Sequence, residues 1–112
     1  MKAPRLNRAL VLEEAVNVAD GAGGFNQSWS SLGQLWADVS FRSGREAGRG
    51  GGAVSLASYK ITVRGAPVGS SRRPRPDQRF REGTRLFRIL SVGEFDAEGR
   101  YLTCIAKEEA AA

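Results

Sequence analysis

The sequence predicts an all-β chain, a small antiparallel barrel or sandwich with two long flexible loops. Three observations carry this. First, two segments alternate apolar and polar residues with the period of two of a half-buried strand. In one, Leu35, Ala37, Val39 and Phe41 interleave with Trp36, Asp38, Ser40 and Arg42. In the other, Ala57, Tyr59, Ile61 and Val63 interleave with Ser58, Lys60, Thr62 and Arg64. Second, turn signals recur at Asp20–Gly24, Glu82-Gly83 and Asp96–Gly99. Third, no segment pairs a helical period with clear caps. Of the two architectures a barrel is preferred, because closure hides the edges that one-sided strands expose.

The remaining elements follow in order. Residues 1–8 form a polar N-terminal segment holding Lys2, Pro4, Arg5 and Arg8. From Ala9 to Ala19, Leu10, Leu12, Val16 and Val18 alternate with Val11, Glu13 and Asn17, which favours a strand although Ala, Leu and Glu also suit a helix. After the Asp20–Gly24 turn comes a short aromatic-ended piece, Phe25 to Trp29, separated by Ser30–Gly33 from the strand at Leu35. That strand runs into Gly48, Gly50, Gly51 and Gly52, a stretch expected to remain a loop over residues 43–54. The second loop, 65–78, holds Pro67, Pro74 and Pro76 and cannot pair as a central strand. Thr84 to Val92 offers Leu86, Phe87, Ile89, Leu90 and Val92 to both faces and reads as a central strand; Arg100 to Lys107 is the last. The barrel domain is thus expected over residues 9–108, with a frayed tail at 109–112. Trp29 and Trp36 are the largest apolar surfaces, suited either to cover an end of the core or to anchor a partner.

Composition narrows the chemistry. A chain of 112 residues supports one modest core. It contains no His and a single Cys, Cys104, which removes the usual general base, Cys/His metal sites and any intramolecular disulfide. Asp38, Asp77 and Glu94 stand singly, with no paired-carboxylate or nucleophile–base arrangement, so neither enzymatic activity nor a cofactor or catalytic metal is expected. The apolar run from Ala9 to Val18 is interrupted by Glu13 and Glu14, so neither a signal peptide nor a membrane span is expected, and a soluble cytoplasmic protein is the default.

Charge is unevenly placed. Between Arg72 and Arg88 lie seven Arg against Asp77 and Glu82, an excess equal to the +5 of the whole chain. Such a segment suits phosphates or an acidic protein surface, and equally a solvated loop that keeps the domain soluble.

One ordered set of motifs resembles a known family. It runs through Asp20-Gly21-Ala22-Gly23-Gly24, Trp29, Leu35-Trp36-Ala37-Asp38-Val39 and Ser43-Gly44-Arg45-Glu46. It continues through Tyr59-Lys60-Ile61-Thr62-Val63-Arg64 and Phe80-Arg81-Glu82-Gly83-Thr84-Arg85-Leu86-Phe87-Arg88-Ile89. In this order, from about Leu6 to Glu108, they resemble the head-tail joining proteins of tailed phages, the head-closure or stopper proteins. Gene transfer agents have equivalent parts. The chain departs from the family after Glu46, where Gly48–Gly52 replaces a short helical Ala/Gln-rich stretch, and in its longer basic insert at Arg72–Arg79.

The resemblance implies a structural neck protein, assembled in the host cytoplasm into a phage-like particle as a ring, expected to be hexameric. Its implied partners are other copies of itself, the portal and adaptor ring, tail terminator or tail tube proteins, and packaged double-stranded DNA in the channel. No membrane is involved. On this reading Gly44, Arg45, Arg49, Gly50, Gly51 and Gly52 are the candidate lumen or gating loop, since glycine permits close approach of several copies around an axis. Arg72, Arg73, Arg75, Arg79 and Arg81 are the candidate arm that contacts a partner or DNA. The competing reading is a small nucleic-acid-binding barrel, OB-like, using the Arg-rich segment with Phe80, Phe87 or Tyr101 as stacking platforms.

Overall fold

The computed structural model describes residues 3–49 and 52–109, the stretches 43–49 and 52–56 by their backbone alone. Six strands form: β1 (Arg8–Ala19), β2 (Phe25–Arg49), β3 (Gly52–Arg64), β4 (Arg79–Glu82), β5 (Arg85–Glu94) and β6 (Tyr101–Glu109). They close into a barrel in the order β1-β2-β3-β6-β5-β4, with every neighbouring pair antiparallel. Closure rests on three register pairs, Val11–Arg81, Leu12–Phe80 and Glu13–Arg79. The end at which β3 finishes and β4 begins is termed the upper end.

Alternation fills the interior. Leu10 and Leu12, Ile61 and Val63, Phe87 and Ile89, and Leu102, Cys104 and Ala106 enter it from successive inward positions, joined by Ala37 and Phe80. All are at most 1% exposed. Phe80 and Phe87 are cross-strand partners, and each such fully buried side chain contributes on the order of 2–3 kcal/mol.

Three bulges decide which residues reach the core. On β2, Leu32 is left unpaired between the Leu12–Gly33 and Glu13–Ser31 pairs, and Gly33 has a φ of 118° that disfavours a side chain. The extra residue reverses the phase of β2. Trp29, which simple alternation with Leu35 and Ala37 would point inward, therefore lies on the outer face. On β5, Leu90 is left out between Ile89–Ala106 and Ser91–Ile105; it is 52% exposed, and Val92 returns to the inner side. The two-faced apolar pattern of β5 is thus a one-faced strand with a phase shift. The third bulge, at Arg42, lies where β2 leaves the barrel.

Two hairpins extend past the barrel in opposite directions. β1–β2 continues beyond Glu13 to the Asp20 turn, where Asp20 Oδ1 accepts from the N–H groups of Ala22 at 2.8 Å and Gly24 at 3.0 Å. The expected separation of 25–29 from the strand at 35 is not observed, because β2 carries the bulge without losing its ladder to β1. β2–β3 extends from the lower end. Residues 43–49 pair with 52–58, down to Arg49–Gly52, so a ladder stands where the sequence suggested an open loop. The physical reason is that each strand satisfies the other's backbone groups, which glycine does not prevent.

The 65–78 segment is a loop, as expected, but it folds across the upper end. Pro74 and Gln78 are buried. Gln78 Oε1 accepts from Arg75 N–H at 2.9 Å, and the Gln78 carbonyl accepts from Ile89 N–H at 2.9 Å. At its start Gly65 N–H donates to the Arg100 carbonyl at 2.7 Å, so closely that a Cβ would collide with the Gly99 backbone oxygen. Gly65→Ala is expected to destabilise the fold by about 2–3 kcal/mol in urea titration, since the obstacle is backbone and cannot rotate away.

Candidate partner-binding surface

The inner positions at the lower end carry charge instead of apolar groups. Arg8 Nε donates to Glu82 Oε2 at 3.0 Å, Arg85 Nε to Glu108 Oε2 at 2.8 Å, and Arg85 Nη2 to Tyr59 Oη at 3.2 Å. Above this cluster an aromatic ladder leads to the core, Phe41 to Tyr59 at 5.6 Å and Tyr59 to Phe87 at 5.2 Å, both edge to face. The 65–78 loop lies at the other end, where Pro74 and Gln78 are buried.

On the outer face, Glu13 holds the closure seam. It accepts from Arg79 Nε at 2.7 Å and Arg81 Nε at 3.0 Å, because Phe80 points inward and leaves its two neighbours on one side. The bulge-shifted Trp29 lies over the same place, with the Arg79 guanidinium 4.0 Å and the Arg88 guanidinium 5.2 Å from its ring centre. Arg88 also pairs with Glu109 at 3.4 Å. Burial pushes the Glu13 carboxyl up, but its two Arg hydrogen bonds together outweigh this and leave it below the usual range. Glu82 is held down by its hydrogen bond to Arg8 and Glu108 by its bond to Arg85.

Of the candidate arm residues, Arg79 and Arg81 are thus engaged with Glu13. Arg75 lies 3.7 Å from Glu14, and Arg73 Nη1 donates to the Ala66 carbonyl at 2.9 Å. Arg72 is exposed and reaches only a backbone oxygen, that of Gln34 at 3.5 Å. The candidate gating residues Gly44, Arg45, Arg49 and Gly52 lie on the paired backbone of the β2–β3 hairpin; Gly50 and Gly51 fall outside the described residues. Sequence reasoning missed the Glu13–Arg79–Trp29 arrangement. Its one available signal was the Arg-Phe-Arg alternation at 79–81, which places two cations on one face and asks for an acid opposite.

The stacking platforms of the nucleic-acid reading are corrected here. Phe80 and Phe87 are 0% exposed, and Tyr101 is half-buried with its ring edge-on to Phe95 at 6.0 Å. Cys104 is buried and its thiol is pushed up to about 12 by desolvation, which keeps it protonated. Among the described residues no group of acidic or sulfur ligands is clustered as a metal would need, and no helix is long and apolar enough to cross a membrane.

This closed barrel with a hairpin at each end has counterparts among solved structures. The chain belongs to the phage head completion protein family, whose sequence profile matches residues 1–109. It is similar to a chain in the virion of a native gene transfer agent particle, with 56% identity over 98% of this chain and 100% of that one, and a TM-score of 0.84. A Shigella flexneri 2a protein known from its solution structure shares the fold, with a TM-score of 0.69 and 20% identity over the full length of both chains. No curated protein matches the sequence.

Two measurements check the seam and the charged end. Glu13→Ala strands the Arg79 side chain, itself only 16% exposed, and is expected to cost on the order of 3 kcal/mol in urea unfolding. Acid should weaken the fold as well. Glu13, Glu82 and Glu108 all titrate lower folded than unfolded, so their contribution is complete above about pH 4.3 and lost as pH falls through the depressed native values. Thermal melts between neutral pH and pH ~3 should show Tm falling mainly below pH ~4, and Glu108→Gln should shallow that fall.

Proposed function

We propose that this chain is the head-closure subunit at the neck of a phage-like particle. It assembles as a ring, of six copies, on the portal and adaptor complex, closes the DNA channel after packaging and presents the surface on which the tail docks. The observation that carries the proposal is the 56% identity, across nearly the whole chain, to a component of a native gene transfer agent virion. As a head completion family member the chain is a structural component of the virion, and the proposed role is not catalytic.

The geometry supports this reading in two ways. A ring subunit needs a rigid body for its lateral contacts, and the closed barrel, filled at both ends, supplies one. It also needs extensions that reach what lies above and below. The β1–β2 hairpin leaves the upper end with Val18 51% and Phe25 72% exposed, apolar surface that a monomer gains nothing by exposing. The β2–β3 hairpin leaves the other end, and the glycine-rich sequence 48–52 is the proposed channel-facing element. The exposed cations of the 65–78 loop then face a neighbouring ring, with packaged DNA as a further partner.

Electron microscopy of particles from cells lacking the gene tests the role. Heads that lack tails and have lost packaged DNA are expected. Tailed particles filled with DNA would overturn the assignment.

A further inference from the structure

The ion pairs of this protein compensate part of its positive charge and leave other cations over, two of them side by side. Glu13, Glu14, Glu82, Glu108, Glu109, Asp96 and Glu98 each meet an arginine. Together they neutralise Arg8, Arg75, Arg79, Arg81, Arg85, Arg88 and Arg100, so most of the basic segment that dominates the sequence is compensated internally. Arg64 and Arg72, by contrast, have no acidic partner among the described residues, and both are exposed.

These two arginines flank a tryptophan. Trp36 stands on the outer face of β2, one step beyond the inward Ala37–Val63 pair, so that Arg64 is its neighbour on β3 and Ala9 its partner on β1. Ala9 is too small to cover the indole, which is 56% exposed. From above, Arg72 comes down off the 65–78 loop to the Gln34 carbonyl. Between them lies a cleft of about 340 Å³ lined by Trp36, Arg64, Arg72, Gln34, Leu35 and the Gly65-Ala66 backbone. An exposed indole between two uncompensated guanidinium groups is a costly surface for a monomer to display and a favourable one to bury.

We infer that the Trp36–Arg64–Arg72 cleft is the binding site for an extended acidic segment of a partner protein. A carboxylate enters between the two arginines and an apolar side chain lies on the indole. Guanidinium groups bind carboxylates as charge-assisted, bidentate pairs, and the tryptophan face supplies the apolar half of the contact. The cleft admits a side chain or a turn of peptide; the regular backbone of a DNA duplex is too broad to enter it and would leave Trp36 uncovered. The inference builds on the neck reading by giving the chemistry of one partner, but its test stands apart from particle assembly.

The full-length protein is titrated into a short fluorescein-labelled peptide of glutamate, proline and leucine, with polarisation as the signal. The same peptide with lysine for glutamate, and a short DNA duplex, are titrated at the same salt. Binding of the acidic peptide is expected, weakened about tenfold or more by Trp36→Ala and by the Arg64→Ser/Arg72→Ser pair. Arg42→Ser, the loss of one charge at the opposite end, should leave it unchanged. Circular dichroism confirms that the variants fold, as surface substitutions on these strands should. Equal affinity in wild type and variants, or equal weakening by Arg42→Ser, overturns the inference as non-specific charge attraction. Tighter binding of the duplex, lost in the same variants, overturns it in favour of nucleic acid. None of these results bears on whether gene deletion empties the heads, so the two proposals fail separately.

Discussion

Everything in this fold depends on a seam of three residue pairs. β4 is four residues long and joins β1 only at Val11–Glu13, yet without that contact the sheet would present two open edges. Three register pairs are a weak ladder, and the side chains around them make up the difference. Inside, Leu12 and Phe80 face each other across the seam and are buried in the core. Outside, Glu13 takes a hydrogen bond from each of the two arginines flanking Phe80, and Trp29 covers the nearer one. The carboxylate is buried, so it needs both partners; the arginines, held on one face by strand geometry, have nowhere better to go.

The seam also explains the bulge opposite it. Leu32 is inserted at the level where β1 reaches β4, and its extra residue turns Trp29 from the inside to the outside. On the outer face Trp29 binds the β1–β2 hairpin to the strands it would otherwise leave. The hairpin therefore departs from the barrel at a braced point.

Filling both ends moves function outward. The Arg8–Glu82 and Arg85–Glu108 pairs occupy one end and the Pro74–Gln78 turn the other. What distinguishes one patch of the outside from another is charge that lacks a counterpart. Seven arginines clustered in sequence suggested one basic arm, but in space most of them are matched by glutamates from β1, β4 and β6. Among the described cations without an acidic partner, Arg64 and Arg72 stand on either side of Trp36, and Arg64 comes from outside that cluster.

Much was legible in the sequence. The strict alternation at 35–41 and 57–63 determined two strands and their inward residues, because a period of two admits one buried face. The turn dipeptides set half of the strand ends, and the lone Cys104 ruled out an intramolecular disulfide, a property of composition that folding cannot alter. The ordered motifs were enough to indicate the family to which the chain belongs. Only the tertiary structure decided the rest. Bulges at Leu32 and Leu90 are invisible to a periodic reading, since one inserted residue looks like noise in a pattern and yet reverses every side chain beyond it. Nor does linear charge reveal pairing: Glu13 lies 66 residues from Arg79, and Glu82 lies 74 residues from Arg8. Which arginines are spent within the fold, and which remain for a partner, is set by barrel closure, because closure alone brings the first strand against the fourth.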